Sequence, residues 1–145
     1  MDPAEALTDL KQISTQVERA VVVRNDGTLE ASTLRDGAAA ERIARGATDL
    51  WDAAEAARAS LGRPALSQLE VATPGGSVFA VRDDARMVCA VTAGDPTVGL
   101  IFYDLKTCLR NIAEEPAEAV ADVPPEPVAA EPATPAGEEE PDGQG

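Results

Sequence analysis

The sequence AGDPTVGLIFYDLKTCL, residues 93–109, decides how many strands the fold contains. Its β-branched and aromatic residues are typical of a strand, whereas Asp95-Pro96 is a common helix start, with an acidic N-cap followed by a proline. Apolar residues recur at helical spacing through the stretch, and four consecutive apolar residues interrupt any strand-like alternation. The pattern therefore predicts a helix that begins at Pro96, with Asp95 as its cap and with Phe102 and Leu105 in the core.

Before this helix, the chain begins with a predicted helix and a β-hairpin. Apolar positions spaced by three and four residues predict the helix over residues 3–19. Asn25-Asp26-Gly27 is a tight-hairpin signal, because Asp-Gly tolerates the positive φ angles of such turns. The flanking strands are predicted at residues 21–23 and 28–31. The apolar stripe of the first helix is expected to contain Leu10, Ile13 and Val17.

An alanine-rich stretch after Leu34 predicts the second helix. Asp36 can cap its start, Gly62 can end it, and Pro64 prevents the helix from resuming. Trp51 is expected at the edge of the apolar stripe of this helix. That stripe comprises Ile43, Ala47, Leu50, Ala54, Ala57 and Leu61.

Three strand-like runs separate the second helix from the third. They cover residues 65–73, 77–82 and 86–93, and turn signals at residues 74–76 and 83–85 divide them. Their alternation predicts a sheet with one face buried more heavily than the other. The complete order is α-β-β-α-β-β-β-α, which predicts an α+β fold with a five-stranded, largely antiparallel sheet.

Charge divides the 145-residue chain into two parts. Of the formal net charge of −14, residues 114–145 carry −10 because they contain ten acidic residues and no basic one, which leaves −4 for residues 1–113. The acidic part also holds seven of the eleven prolines and has no Leu, Ile, Met or aromatic residue. Such a segment cannot bury enough apolar surface to offset the entropy of ordering it. We therefore expect a folded domain over residues 1–113 and a disordered acidic tail over residues 114–145.

The residues that commonly carry catalysis or bind cofactors are scarce. Histidine is absent, which removes Ser-His and Cys-His nucleophilic pairs and histidine-containing metal sites. Cys89 and Cys108 lack the spacing of a zinc site, and both are expected to pack inertly. TPGGS, residues 73–77, is too short for a P-loop and has no lysine. We expect no enzymatic activity, no cofactor and no metal site.

The acidic balance also argues against direct nucleic-acid binding, because phosphate contacts need a basic patch. No apolar run approaches the length that spans a membrane, and the N-terminus does not resemble a signal peptide. We expect a cytoplasmic protein with no membrane insertion.

The order of elements and the sequences that fill it resemble the Roadblock/dynein light chain family over residues 4–113. The matching pieces are AVVVRNDGTLEAS at residues 20–32, LWDAAEAARASLG at residues 50–62, and VFAVRDDARMVCAVTAGDPTVGLIFYDL at residues 78–105. Ala20 departs from the family pattern, in which a glycine often precedes the first strand. The resemblance implies a profilin-like domain with helices on both faces of the sheet.

The resemblance also implies a homodimer, or a heterodimer with another roadblock protein, in which two sheets join into one of ten strands. The second helix and the third strand would form the interface, at residues 38–61 and 65–73. Such pairing removes the liability of an unpaired edge strand, and an alanine-rich helix permits close approach across a twofold axis. For Trp51, packing inside one subunit is the alternative. The expected interface residues are Ala47, Leu50, Trp51, Ala54, Ala57, Leu69 and Val71.

Prokaryotic members of the family resemble regulators or scaffolds of small Ras-like GTPases. The resemblance therefore implies a non-catalytic dimeric adaptor that binds such a GTPase and modulates its nucleotide cycle or location. Two alternatives stay open at this point. One is a sensor domain that holds a small ligand between sheet and helices, and the other is a structural dimer that presents its tail to a partner. The tail itself serves either solubility and spacing or a specific binding role.

Overall fold

A computed structural model describes residues 1–114 of the chain. Three helices and five strands follow one another in the predicted order, and Met1–Ala113 form one compact unit. Apart from Glu114, the predicted acidic tail lies outside the described residues. The elements are α1 (Pro3–Ile13), β1 (Val17–Arg24), β2 (Leu29–Ser32), α2 (Gly37–Ser60), β3 (Gln68–Thr73), β4 (Gly76–Arg82), β5 (Arg86–Thr92) and α3 (Val98–Ala113). Within residues 1–114, no helix is both long enough and apolar enough to cross a membrane.

All neighbouring strands of the sheet pair antiparallel, in the order β2-β1-β5-β4-β3. The strands β2 and β3 therefore form the two edges, although neither is first or last in the chain. Helices α1 and α3 pack on one face of the sheet, and α2 packs on the other. The α+β fold predicted from the sequence, with helices on both faces of a five-stranded sheet, is confirmed.

The ambiguous stretch at residues 93–109 forms most of α3 and contributes no sixth strand. Phe102 and Leu105 are buried, as predicted, and the Phe102 ring meets Phe79 edge to face with ring centroids 5.1 Å apart. The predicted cap is wrong, because the helix begins at Val98 and Asp95 adopts a positive φ of 58° in the preceding turn. Local residue types indicated a helix start, but the chain first needs a sharp turn to leave β5.

The first helix is shorter than its apolar spacing predicted. It ends at Ile13, where Ser14 turns to an extended conformation, and Val17 already belongs to β1. Leu10 is buried as expected, whereas 61% of Ile13 is exposed. The error arises because the first apolar residue of the strand happens to continue the spacing of the helix.

The second helix has both of its predicted end signals. The Asp36 side chain accepts hydrogen bonds from the first-turn N–H groups, and Gly62 takes a positive φ of 69° just after the helix. Its buried face differs from the predicted stripe, since Trp51 is only 1% exposed and Leu61 is 74% exposed. Alanine on every side of this helix leaves the period ambiguous, and the large indole determines which side faces the sheet. The buried residues of α2 are Ala40, Ala44, Ala47 and Trp51.

Candidate association surface

Helix α2 covers only part of its side of the sheet. It lies chiefly over β1 and β2, where Trp51 packs with Val21 and Val23. Beyond it, towards β3, the sheet keeps apolar side chains that are only half-buried. We call this surface the apolar shelf; it consists of Ile43 and Leu50 from α2 and of Leu69, Val71, Val78 and Val91 from the sheet.

A groove of about 230 Å³ runs between α2 and the strands β4 and β5. Gly46 lies on the helix side of this groove, and a Cβ atom added there would come within 4 Å of no atom of residues 1–114 beyond its own helical turn. The missing side chain leaves the backbone of the helix open beside the sheet. The groove is lined by Ile43, Gly46, Ala47, Leu50, Val78, Cys89 and Val91, all of them apolar residues or glycine.

The shelf continues to the free edge of β3. Leu69 pairs with Ala80 and Val71 pairs with Val78, so both side chains lie on the side of the sheet that carries α2. Glu70 pairs with Phe79 and lies on the opposite side. Within residues 1–114, β3 has no strand partner other than β4. An apolar surface and a row of strand-edge hydrogen-bonding groups therefore adjoin each other.

The segment that leads into β3 is attached to α2 by Glu55. Its carboxylate accepts hydrogen bonds from Arg58 Nε at 2.6 Å and from the Leu66 backbone N–H at 3.2 Å. The hydrogen bond from Arg58 is the main reason that the pKa of Glu55 is lowered. Glu55 thus links two parts of the chain. One is α2, which borders the shelf, and the other is the segment just before the edge strand β3.

Trp51 lies beneath the shelf rather than on it. The Arg82 guanidinium stands over the indole at 5.6 Å from the ring centroid, a cation–π arrangement. Arg82 Nε also donates a hydrogen bond of 2.7 Å to Asn25 Oδ1, in the first hairpin turn. The structure thus places Trp51 in the core of its own chain, the alternative considered for it, and its contribution to an interface stays a prediction.

Comparison with known proteins places the fold in a family. The sequence pattern of the Roadblock/LC7 domain matches residues 3–93, more than half of the chain. The chain belongs to the Roadblock/LC7 family. No curated protein sequence matches it.

Solved structures share the fold at low sequence identity. A Roadblock/LC7 domain from Streptomyces avermitilis superposes with a TM-score of 0.72 at 16% identity, covering 78% of this chain and 96% of that one. A second domain from the same organism gives a TM-score of 0.56 at 24% identity, over 74% and 95% of the two chains. MglB of Myxococcus xanthus gives a TM-score of 0.60 at 13% identity, over 77% and 84%.

The structure brings together part of the predicted interface set in this Roadblock/LC7 domain. Ala47 and Leu50 line the groove, and Leu69 and Val71 extend the shelf to the edge. Ala54 is half-buried and Ala57 is exposed; neither lines the groove. Sequence reasoning missed Gly46, Val78 and Val91 as members of this surface. Val78 is adjacent in sequence to the deeply buried Phe79, so the sequence pattern did not distinguish this surface residue from the core residues of the strand.

The surroundings of the two thiols in this Roadblock/LC7 domain make them poor nucleophiles. Burial raises the pKa of Cys89 to about 12, and burial together with the charge of Asp9 raises the pKa of Cys108 to about 12. Both remain protonated at neutral pH, and a thiol is a poor nucleophile. In the part of the chain that the structure describes, no three His, Cys, Asp or Glu residues are grouped to hold a metal ion. The arrangement is suited to binding an apolar surface and a strand.

Proposed function

We propose that this Roadblock/LC7 domain is a non-catalytic adaptor that dimerises through the apolar shelf and the β3 edge and binds a small Ras-like GTPase in the cytoplasm. The observation that carries the proposal is the continuity between an unpaired, regular edge strand and a half-buried apolar surface. Neither feature by itself distinguishes an interface from ordinary surface. Together they offer a partner both backbone hydrogen bonds and apolar burial.

Pairing two copies of β3 would satisfy the outer N–H and C=O groups of both strands and would extend the sheet to ten strands. A twofold axis makes such an interface self-complementary, so the shelf of each copy would meet the same shelf of the other. Burial stabilises by about 25 cal/mol per Å² of apolar area, and the six shelf residues supply area that the single chain leaves in water. The dimer is a homodimer, or a heterodimer with a second roadblock protein of the same architecture.

The GTPase partner is proposed from family membership and from the lack of catalytic groups. The sequence contains no histidine, and both thiols are buried and protonated. A domain with these properties would act on a GTPase by favouring one conformation, which requires unequal affinity for its nucleotide states. We therefore expect the adaptor to modulate the nucleotide cycle or the location of its partner.

At the groove beside α2, the geometry favours docking of a partner surface over binding of a small ligand. The groove beside α2 holds about 230 Å³, below the roughly 300–1,000 Å³ typical of ligand pockets. Its lining has no convergent polar side chains to orient a small molecule. A structural dimer that presents its tail to a partner would use the same shelf, and it is distinguished by the experiment below.

The test is co-purification of the full chain with candidate small GTPases loaded with GDP or with a non-hydrolysable GTP analogue. We expect binding that differs between the two states, with a changed rate of nucleotide exchange or hydrolysis. A Val71→Lys variant is expected to lose this binding together with dimerisation. If the wild-type dimer binds the GTPases in neither state, the GTPase role is wrong and the structural dimer is favoured.

A further inference from the structure

Among residues 1–114, four of the five exposed large apolar side chains lie where the end of α1 meets the start of α3. The fifth, Leu61, stands by itself after α2. Exposed apolar residues that are scattered singly are ordinary, whereas a group of them in one place marks an interaction surface. We call this group the α1–α3 patch; it consists of Ile13, Val98, Leu100 and Tyr103.

Two hydrogen bonds show how the ends of these helices meet. The helices run antiparallel, since the Cys108 thiol in the second half of α3 donates to the Ala6 carbonyl oxygen near the start of α1. At the other end, the Thr97 backbone N–H, one residue before α3, donates to Gln16 Oε1 at 2.6 Å. Ile13, the last residue of α1, therefore lies beside the first turns of α3, which carry the other three members of the patch.

Two buried polar side chains without hydrogen-bond partners adjoin the α1–α3 patch. Ser14, 3% exposed, follows Ile13 in sequence, and Asp104, 5% exposed, lies one helical turn after Leu100 on the same side of α3. Within residues 1–114, neither Ser14 Oγ nor Asp104 Oδ2 has a hydrogen-bond partner. Buried polar atoms are normally paired, and an unpaired buried carboxylate is costly when it is ionised. The patch thus borders two oxygen atoms that the domain itself leaves unpaired.

The acids around the patch are not neutralised by cations. Asp9 lies one turn before Ile13 on α1, Asp95 lies in the turn before α3, and Asp104 borders the patch itself. None of these three acids forms an ion pair within the described part of the chain. The surface therefore combines apolar area with negative charge.

The cations on the same two helices are engaged or lie on other sides of their helix. Lys11 Nζ donates to two backbone carbonyl oxygens of β1. Lys106 follows Asp104 by two residues, a spacing that places two side chains on different sides of a helix. Arg110 donates to a threonine hydroxyl of α3. The patch is therefore complementary to a partner that brings positive charge together with apolar side chains.

We propose that the α1–α3 patch binds an amphipathic helix of a partner protein, and that this helix carries at least one arginine or lysine. Its apolar side would cover Leu100 and Tyr103, and its cation would pair with the Asp104 carboxylate at the border of the patch. Two helices offer no free strand edge, so recognition depends on side chains at helical spacing. Hydrogen bonds between a cation and a carboxylate are stronger than neutral ones, and the several donors of a guanidinium can also serve Ser14 Oγ.

This surface is separate from the apolar shelf. Helices α1 and α3 pack on the face of the sheet opposite to α2, which borders the shelf. The proposed dimer would therefore leave the α1–α3 patch of each copy accessible, and binding to the patch does not depend on dimerisation.

The test is selection of binders to the immobilised full chain from a displayed library of helical peptides with randomised surface positions. We expect enriched peptides to carry apolar residues at helical spacing together with arginine or lysine. Leu100→Ser and Tyr103→Ser, at exposed positions that leave the core intact, are each expected to weaken these peptides at least about tenfold. Leu61→Ser is the matched control, because it removes the isolated exposed side chain and is expected to keep the wild-type affinity. Fluorescence anisotropy of the labelled peptides measures the affinities.

A second comparison isolates the charge. Asp104→Asn is expected to weaken a selected peptide at least about tenfold, whereas Asp49→Asn, at an exposed acid of α2, is expected to have no effect. Replacing the cation of the peptide by glutamine is expected to lower its affinity for the wild type and to abolish the difference between wild type and Asp104→Asn. If Asp104→Asn fails to fold, this peptide change and the two serine variants still decide the question.

Three results would overturn the proposal. The first is a selection in which no enriched peptide is weakened by Leu100→Ser or Tyr103→Ser, as when basic peptides bind to acidic residues elsewhere by charge alone. The second is an equal loss of affinity in Leu61→Ser, and the third is a set of patch binders that lack a basic residue.

Discussion

The two edges of the sheet differ in length and in regularity, two features that govern pairing with another strand. At one edge, β2 has four residues, and its register with β1 shifts between Val22 and Val23. At the other edge, β3 has six residues and keeps an unbroken register with β4. Short, bulged strands are a common way to prevent edge-to-edge association, and long regular ones invite it.

The irregularity in β2 is located at Glu30. This residue is the extra one in the bulge, because Ala31 pairs with Val22 while Leu29 pairs with Val23. Its carboxylate accepts a hydrogen bond from Arg24 Nη1 at 3.0 Å and from Arg86 Nε at 2.6 Å. A carboxylate of β2 thus pairs with arginines of β1 and β5, whereas the β3 edge adjoins the apolar shelf. For the proposed dimer, this comparison favours β3 as the pairing edge and β2 as the protected edge.

The largest expected effect comes from a charge on the β3 edge. Val71→Lys places an ammonium group on the shelf where dimerisation would bury an apolar side chain. Losing that burial and desolvating the charge costs about 2 kcal/mol or more, which raises the dimer dissociation constant at least about 30-fold. Sedimentation velocity of the variant over a concentration series measures the change.

Ser32→Lys is the matched control, because it adds the same charge to the β2 edge. Its dissociation constant is expected to equal that of the wild type. If Ser32→Lys weakens the dimer as much as Val71→Lys does, the two edges are equivalent in association and the assignment to β3 fails.

Removing Glu30 is expected to reduce stability rather than association. Glu30→Ala breaks both ion pairs and leaves the largely buried Arg86 side chain without its carboxylate. A loss of about 1 kcal/mol in the free energy of unfolding is expected, equivalent to about 4–8 °C in melting temperature for a domain of this size. Thermal unfolding measures the stability, and an altered oligomeric mass would show that β2 takes part in the interface.

A methyl group at Gly46 is expected to affect folding stability and dimer affinity in opposite directions. Within residues 1–114, a methyl group at Gly46 meets no atom beyond its own helical turn, and Gly46→Ala replaces a glycine inside a helix, so a gain of about 0.5–1 kcal/mol in folding stability is expected. In the dimer the same methyl group would occupy the groove and raise the dissociation constant severalfold. Gly99→Ala, in the open first turn of α3, is the control and is expected to leave association unchanged. Tighter association of Gly46→Ala would contradict a role for the groove.

The smallest expected effect is at Glu55, which attaches the segment before β3. Since the pKa of this carboxyl is lowered, its contribution is present above the pKa of the unfolded chain and is lost as pH falls through the lowered value. Glu55→Gln is expected to increase hydrogen exchange at the Leu66 amide at neutral pH and to remove this acid dependence. Glu41→Gln, on an exposed part of the same helix, serves as the control, and equal exchange in both variants would contradict the attachment.

The sequence predicted the number, order and type of the elements because each has its own local signal. Asn25-Asp26-Gly27 marks the first hairpin, and Asp36 and Gly62 bound α2. Strand order has no such signal, so the edges become identifiable only when β1 pairs with β5. The α2 face was misassigned because alanine packs on any side, and the position of Trp51 had to be determined by tertiary packing.

The candidate surface was only partly predictable for a related reason. Leu69 and Val71 could be named from alternation along β3, together with the family resemblance. Gly46 and Val78 could not, because their importance depends on the gap between α2 and the sheet. A gap is a property of two elements together, and no pattern within one segment encodes it.

The most direct test of the account is sedimentation velocity of the full chain alone at micromolar concentration. The account predicts a species of twice the 15.0 kDa chain mass for the wild type, and a single 15.0 kDa species for Val71→Lys. A wild-type protein that sediments at 15.0 kDa throughout the micromolar range would contradict association through the β3 edge.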